Sequence, residues 1–197
     1  MITLQDAHAE WTEDVRPRVI AWYGEDDTPA LSESWSEFTD SLTRDGELTG
    51  LQYHYAPSHD DDMPDDDIEY ILDHLGVGMT ITRLDTRPDD LSEWGEGARH
   101  WEFTITRNGE HEHSGFYSQG SAHTAPPTLT DVLSCLLSDA GCAEYDFDEF
   151  CSDLGHDTDS RRAERIHNAC RQVAVGMARL FSPSEREDLT AMFQEWH

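Results

Sequence analysis

The sequence contains no lysine, and all 13 of its basic residues are arginine. Against them stand 42 acidic residues, 24 Asp and 18 Glu, so the 197-residue chain has a net charge of −29. A surface of this charge repels nucleic acid and anionic membranes, and its self-repulsion destabilises the compact state. We therefore expect no direct binding to nucleic acid or membranes, and we expect salt or a charge-dependent function to compensate.

The chain also lacks the signatures of several protein classes. No run approaches the roughly 18 apolar residues that a membrane-spanning helix needs, and residues 1–11 show no secretion-signal pattern. The four cysteines form no C-x-x-C pair, which favours reduced thiols in the cytoplasm. No G-x-S-x-G, P-loop or G-x-G-x-x-G motif is present. These absences predict a cytoplasmic protein that is not an enzyme and has no cofactor.

Regular apolar spacing predicts that most of the chain is helical. From Leu129 the apolar residues fall at i, i+3, i+4, i+7, i+8 and i+11, which is one face of a helix. A longer helix with the same pattern should follow and run to Phe181. Further helices are expected over residues 3–23, 30–44 and 66–75, and after the Ser182-Pro183-Ser184-Glu185 capping box.

The first of these helices contains a proline. Its apolar stripe is Leu4, Ala7, Trp11, Val15, Val19 and Trp22. Pro17 lies inside the stripe, and proline lacks the backbone N–H that a helix interior uses. The sequence therefore predicts a kink here, or two shorter helices.

The middle of the chain changes to a period of two. Val77 to Leu84 is rich in β-branched residues, and Trp101 to Arg107 alternates between apolar and polar. Asn108-Gly109 is a strong hairpin signal, and Glu110 to Ser118 should return as a third strand. An acidic loop, Asp85 to Gly97, separates the first two strands. The predicted fold class is therefore α+β, mostly helical with a small three-stranded antiparallel sheet.

The sharpest change in composition is a run with six Asp in eight positions, residues 60–67. We interpret it as part of an acidic linker, residues 57–67, between an N-terminal helical region, 1–56, and an α+β domain with C-terminal helices, 68–197. The run could instead bind a cation, although the calcium-loop pattern D-x-D-x-D-G is absent. A third interpretation is a surface that imitates phosphates.

The sequence His111-Glu112-His113 contains three possible metal ligands. In a strand the two histidines would share one side, and His123 could join them, so a metal-dependent enzyme using His111 and His113 is one alternative. The polar outer face of a hairpin explains the same residues, and no thiol is spaced to complete a zinc site. We therefore expect no metal.

Several stretches between residues 100 and 181 resemble small acidic proteins carried by phages, plasmids and other mobile elements. These stretches are Trp101 to Gly109, Tyr117-Ser118, Thr128 to Ala140, Asp157 to Glu164, and Cys170. The resemblance implies an accessory protein of a mobile element. Such elements carry antirestriction and anti-CRISPR proteins, and several families of these are acidic DNA mimics.

The charge and the resemblance lead to one functional hypothesis. Duplex DNA carries one charge per roughly 1.7 Å, so 29 charges match about 50 Å of duplex. We expect an inhibitor that mimics DNA and competes with it for the basic channel of a DNA-binding host-defence protein or complex, as an anti-CRISPR or antirestriction protein. The predicted partner-binding residues are Glu25, Asp26, Asp27, Asp60, Asp61, Asp62, Asp65, Asp66, Asp67 and Glu69.

Two further expectations stay open. Abundant Asp without Lys also suits a salt-adapted cytoplasmic protein that does not mimic DNA. Arg161 and Arg162 lie at a helix start, where their charge opposes the helix macrodipole. We expect these arginines to have acidic partners elsewhere, either in the same chain or in the second subunit of a homodimer.

Overall fold

The computed structural model describes residues 1–85 and 97–195. It consists mostly of helices with one three-stranded antiparallel sheet in the order β1-β2-β3, which confirms the predicted α+β class. The helices are α1 (Leu4–Glu10), α2 (Arg16–Tyr23), α3 (Thr28–Arg44), α4 (Gly50–Tyr55), α5 (Asp67–His74), α6 (Leu129–Cys142), α7 (Phe147–Leu154), α8 (Arg161–Leu180) and α9 (Pro183–Glu195). The strands are β1 (Val77–Leu84), β2 (Arg99–Arg107) and β3 (Glu110–Gln119).

The chain forms two compact units. The first, which we call the N-terminal unit, comprises Met1–His74 and Glu187–His197, and the second, the sheet unit, comprises Leu75–Arg186. These bounds differ from the predicted division at residues 57–67. The difference arises because α5 is tied to the helices before it through the buried side chain of Asp67.

The core of the N-terminal unit is formed by α1, α3 and the segments that follow each of them. Its buried cluster consists of Leu4, Ala7, Trp11, Leu31, Trp35, Leu42 and Leu48. Thr3 caps α1, because its hydroxyl accepts a 3.0 Å hydrogen bond from the Asp6 amide. Residues Leu48 to Tyr55, whose pattern fits a helix or a strand, contain α4, which begins with a Thr49–Gln52 capping box.

A π-helical segment, Trp11–Val15, separates α1 from α2. It ends two residues before Pro17, whose ring cannot follow an unbroken α-helix without clashing with the preceding turn. The prediction of two shorter helices is therefore confirmed. The predicted burial of Trp22 is wrong, because its side chain is 83% exposed. Val19 packs on the core as predicted, and Ile20, which was not part of the predicted stripe, packs there too.

The sheet has the predicted strands and hairpin. β1 pairs with β2 from Val77 opposite Arg107 to Leu84 opposite His100. The turn between β2 and β3 uses Asn108 and Gly109 at φ 53° and 82°, the left-handed conformation that such a hairpin requires. The Asn-Gly signal in the sequence therefore located this turn correctly.

The helices of the sheet unit follow their predicted faces. α6 packs on α8, and the α6 residues that are buried are Val132, Leu133, Leu136, Leu137 and Ala140. On α8, Cys170, Met177 and Leu180 are buried. The Ser182–Glu185 capping box is present as predicted.

An ion pair joins the end of β2 to the start of α9. The guanidinium of Arg107 donates to both carboxylate oxygens of Glu185, at 3.2 and 2.9 Å, and also to the carbonyl of Leu180. Burial alone would raise the pKa of Glu185. The hydrogen bonds from Arg107 and Ser182 outweigh that effect and hold the pKa below its usual value.

One prediction of the sequence analysis falls on residues outside the described ranges. The acidic loop Asp85 to Gly97 covers residues 86–96. Within the described ranges, no helix is both long and apolar enough to cross a bilayer.

Two glycines allow close approaches within the sheet unit. A Cβ at Gly115 of β3 would lie 2.8 Å from the ring of Phe103 on β2. A Cβ at Gly176 of α8 would lie 2.2 Å from Nδ1 and 2.8 Å from Cγ of His113 on β3. Because Cγ is near the root of that side chain, the imidazole cannot simply swing away. Gly176 is therefore what lets α8 pack close to β3.

We expect the Gly176→Ala variant to be less stable than the native protein by about 1 kcal/mol. The overlap with His113 costs about 1–3 kcal/mol and outweighs the gain of roughly 1 kcal/mol that alanine brings inside a helix. Gly141→Ala is the matched control, because its Cβ would meet nothing within 4 Å on α6. Urea unfolding measures both, and equal stability of the two variants would contradict the close contact.

Candidate functional site: an acidic surface

The charge of the chain is concentrated in the N-terminal unit. Its 85 residues contain 23 acidic residues against three arginines, a net charge of −20. The sheet unit has 112 residues with 19 acidic residues and ten arginines, a net charge of −9. Per residue, the N-terminal unit is about three times as negative. One of its three cations, Arg44, is further neutralised by Asp40 at 2.9 Å.

The segment between α4 and α5 holds five of the ten predicted partner-binding residues, and its first part is fixed to the core. The carbonyl oxygen of Pro57 accepts a 2.9 Å hydrogen bond from the indole of Trp35. The carbonyl of His59 accepts another from His8 at 3.0 Å, and the His59 ring packs on Trp11 with 5.7 Å between centroids. The backbone that leads into the acidic run is thus held in place rather than free.

The acidic run itself begins with a turn. The Asp61 amide donates to the carbonyl of Ser58 at 3.0 Å, and the Ser58 hydroxyl donates to the Asp60 carboxylate at 2.7 Å. The hydrogen bond from Ser58 lowers the pKa of Asp60. Asp60, Asp61, Asp62 and Asp65 are all exposed, so this turn presents four carboxylates to solvent.

Asp66 and Asp67 have other roles than their neighbours. The Asp66 carboxylate caps α5 by accepting hydrogen bonds from the amides of Ile68 and Glu69, at 2.9 and 3.0 Å. Asp67 is buried, with 8% of its surface exposed. The sequence analysis placed Asp67 on a solvated surface, and the structure removes it from there, whereas Glu69 is exposed as expected.

The buried carboxylate of Asp67 connects the starts of three helices. One of its oxygens accepts hydrogen bonds from the Leu4 amide at 2.9 Å and from the Gln52 amide group at 2.7 Å. Gln52 also donates to the carbonyl of Ile2 at 3.0 Å. The other oxygen of Asp67 has no hydrogen-bond donor among the described residues. Burial raises the pKa of Asp67, and the hydrogen bonds from Gln52 and Leu4 offset only part of this effect.

The second predicted group lies in the loop between α2 and α3. Gly24 turns the chain with φ 97°, and Glu25 and Asp26 after it are exposed. Asp27 caps α3, because its carboxylate accepts a 3.1 Å hydrogen bond from the Ala30 amide. Glu25 and Asp26 are thus free to face a partner, while Asp27 is occupied in holding the helix.

Helix α3 connects the two acidic loops. Asp27 begins it, and Trp35, eight residues later, holds Pro57 at the start of the other loop. Eight residues of α-helix span about 12 Å, which is more than the Debye length of about 8 Å at physiological salt but less than the roughly 30 Å at 0.01 M. At low salt, carboxylates in the two loops therefore contribute to one local field. We call the exposed members the acidic surface: Glu25, Asp26, Asp60, Asp61, Asp62, Asp65 and Glu69.

The histidines considered for a metal site lie on β3. The register places His111 opposite Thr106 and His113 opposite Ile105, with an irregularity in between. This irregularity interrupts the regular alternation of strand residues on which the prediction of a shared side rested. Within the described residues, no group of three or more His, Cys, Asp or Glu could hold a metal ion.

One cavity of the sheet unit is lined mostly by charged and polar residues. Its volume is about 370 Å³, and it is lined by Asp146, Phe147, Glu164, His167, Asn168 and Arg171. The imidazole of His167 is buried and donates to the carbonyl of Tyr145 at 3.1 Å. This ring therefore has a structural hydrogen bond, and the lining contains no hydroxyl or thiol nucleophile.

The sequence analysis missed one further feature, the exposure of two aromatic side chains at the end of α2. Trp22 and Tyr23 are exposed at the end of α2, although periodicity placed Trp22 in the core. Pro17 was the available signal. An adjustment of the helix next to a proline rotates all later residues, and its direction could not be read from the spacing alone.

The class defined by these observations is an α+β protein with a strongly acidic helical unit. Comparison of the chain with protein-family models, curated proteins and solved structures finds no match. The resemblance to mobile-element proteins therefore stays a prediction, and the function is argued from the acidic surface.

Proposed function

We propose that the protein is an inhibitor that mimics duplex DNA and binds the basic channel of a DNA-binding host-defence effector. The observation that carries the proposal is the charge of −20 in an N-terminal unit of 85 residues. The acidic surface would occupy the positions of DNA phosphates, and the effector's Arg and Lys side chains would pair with it. Inhibition would be competitive, because the same channel cannot hold DNA at the same time.

Anchoring of the carboxylates supports this proposal. A flexible acidic tail pays an ordering cost when it binds, whereas the segment before Asp60 is held by Trp35, His8 and Trp11. The hydrogen bond from Ser58 further favours the charged form of Asp60. A pre-formed array of charges loses less freedom on binding and gains more net affinity.

Binding of this kind must be strongly salt-dependent. Neutralising the charged contacts releases counterions, so affinity falls linearly with the logarithm of salt concentration. We expect the affinity for the effector to fall by at least 100-fold between about 50 and 200 mM KCl. The affinity of proteins for DNA falls in the same way when they make several phosphate contacts. An affinity that stays flat over this range would contradict the proposal.

The test begins by capturing proteins from host lysate on the immobilised full chain at low salt. Duplex DNA longer than about 15 base pairs is then used for elution, and the eluted proteins are identified by mass spectrometry. We expect a DNA-binding nuclease or surveillance complex that duplex DNA displaces. Captured proteins that DNA does not displace would contradict competition for a DNA channel.

Two charge-matched variants then locate the contact. The first replaces four aspartates of the acidic surface by asparagine, and the control replaces four exposed acidic residues of the sheet unit by the matching amides. The first set is Asp60, Asp61, Asp62 and Asp65, and the control set is Glu144, Asp148, Asp153 and Asp159. At about 0.5 kcal/mol per exposed charge pair, the first variant should bind about 30-fold more weakly. Equal losses in both variants would show that only net charge matters.

Salt adaptation without mimicry is the competing explanation, favoured by the absence of lysine and the excess of Asp over Glu. It predicts that the native protein unfolds when KCl is removed and that no DNA-displaceable effector is captured. Melting curves recorded over a range of KCl concentrations, together with the capture experiment, separate the two explanations.

A further inference from the structure

Two neighbouring aromatic side chains lie on the surface of the most acidic unit. Trp22 is 83% exposed and Tyr23 is 62% exposed. Among the large apolar side chains that the structure describes, none is more exposed than Trp22. Single exposed apolar residues are ordinary, but an adjacent Trp and Tyr, both mostly in solvent, form a patch of the residue types that dominate protein interfaces.

The fold holds these rings outward. α2 contains no buried residue, and its contacts with the core come from Val19 and Ile20. Gly24 then turns the chain at φ 97°. Val19 and Ile20 thus fix the end of α2 to the core, and the rings of Trp22 and Tyr23 remain exposed to solvent.

Exposed carboxylates lie next to the rings. Glu25 and Asp26 follow Tyr23 after a single glycine, and a segment of five residues spans at most about 17 Å. Arg18, one turn before Trp22, makes no cation–π contact with it among the described residues. The patch thus combines open aromatic faces with negative charge.

This combination fits the guanidinium group of arginine. The planar cation stacks on Trp and Tyr faces through cation–π attraction, and carboxylates at its edge accept its N–H groups in pairs. Lysine presents a compact, strongly hydrated charge and gains less from an aromatic face. Nucleic acid could use the rings for stacking, but a unit of charge −20 repels it.

We propose that Trp22 and Tyr23, with Glu25 and Asp26, form a docking patch for arginine side chains of a basic protein partner. The proposal rests on the proposed function, because the partner is the effector that the acidic surface attracts. The carboxylates set how steeply binding depends on salt. The rings contribute a part of the affinity that salt does not screen, and they make the surface selective for arginine over lysine.

The test uses octa-arginine and octa-lysine peptides as probes, titrated into the full chain by calorimetry at two KCl concentrations. We expect octa-arginine to bind the native protein about tenfold more tightly than octa-lysine. The Trp22→Ala, Tyr23→Ala double variant should lose this tenfold preference and keep the same salt dependence. Phe116→Ala, Tyr145→Ala is the matched control, since both of its side chains are 46% exposed in the sheet unit, and it should bind as the native protein does.

The indole N–H signals in an NMR spectrum give a second readout. The signal missing in the Trp22→Phe variant identifies Trp22, and it should shift on titration with octa-arginine while those of the buried Trp11 and Trp35 stay in place. A double variant that binds octa-arginine as tightly as the native protein would overturn the patch and leave the proposed function standing. No salt-dependent binding of either peptide would overturn both, and native self-association that the double variant abolishes would assign the patch to a second copy instead.

Discussion

We expect the Trp11→Ala variant to lose about 4 kcal/mol of the free energy of unfolding of the N-terminal unit. The Trp11 side chain is fully buried at the centre of that unit's core cluster. It stacks on His8 and meets the edge of Trp35, with 5.9 and 5.7 Å between ring centroids, and its N–H donates to the Ser34 hydroxyl at 3.1 Å. Replacing a buried Trp by Ala costs about 3–5 kcal/mol.

This loss should be close to the limit of what the unit tolerates. Small domains are stable by only about 5–15 kcal/mol, and self-repulsion at a charge of −20 lowers that margin. We therefore expect the melting temperature of the unit to fall by about 20 °C, and part of the loss to be recovered in high KCl, which screens the repulsion.

Trp22→Ala is the control, because the same substitution there removes an exposed ring and should change stability by less than about 0.5 kcal/mol. Hydrogen exchange with mass spectrometry reports on residues 1–74 and 75–186 separately. Similar melting temperatures for the Trp11 and Trp22 variants would contradict the position of the core, and so would a loss of protection confined to the sheet unit.

The second large effect is expected at Asp67. Asp67→Ala leaves the Leu4 amide and the Gln52 side chain without the acceptor that they share. The Leu4 amide then has no acceptor, and the Gln52 amide group retains only the Ile2 carbonyl, which together cost about 3 kcal/mol. Asp67→Asn keeps an oxygen for both donors, and its amide nitrogen replaces an oxygen that already has no donor among the described residues.

The asparagine variant should differ from the native protein in its pH dependence. Burial raises the pKa of Asp67 above its ordinary value of 3.8, so the native state binds this proton more tightly than the unfolded chain does. The stability from that proton is complete below pH 3.8 and is lost as the pH rises through the folded-state pKa. At pH 7 the native protein contains a buried charge that burial disfavours, and we expect Asp67→Asn to be the more stable of the two.

Urea unfolding at several pH values measures this difference. The advantage of Asp67→Asn should shrink as the pH falls from 7 towards 4, while Asp67→Ala should stay less stable than the native protein throughout. An asparagine variant whose deficit is as large as that of the alanine variant would show that Asp67 is needed as a charged group. The inferred cost of its burial would then be wrong.

Much of the fold could be predicted because local signals agreed with tertiary packing. The apolar spacing of α6, the Asn108-Gly109 turn and the Ser182–Glu185 capping box each specify a structure within a few neighbouring residues. The π-helical segment alters the register of the first helical stretch by one residue. It therefore turns a correct periodicity into a wrong face for Trp22, and nothing in the spacing marks the shift.

The acidic surface was predicted only in part, for a related reason. Composition located the aspartates of residues 60–67 but could not distinguish those that face solvent from Asp66, which caps a helix, or Asp67, which is buried. That distinction depends on Gln52 and the start of α1, which are distant in sequence. The uneven division of charge was likewise hidden, because the N-terminal unit includes residues 187–197 from the far end of the chain.

The π-helical segment before Pro17 has one more consequence. Each residue of a helix adds a rotation of about 100°. The wide turn of the π-helical segment therefore rotates the side chains of α2 about the helix axis relative to those of α1. Deleting one residue from Trp11–Val15 would cancel that rotation and swing the indole of Trp22 towards the protein interior. A one-residue change in length, without any change in composition, would thus decide whether the protein presents an aromatic face to its surroundings.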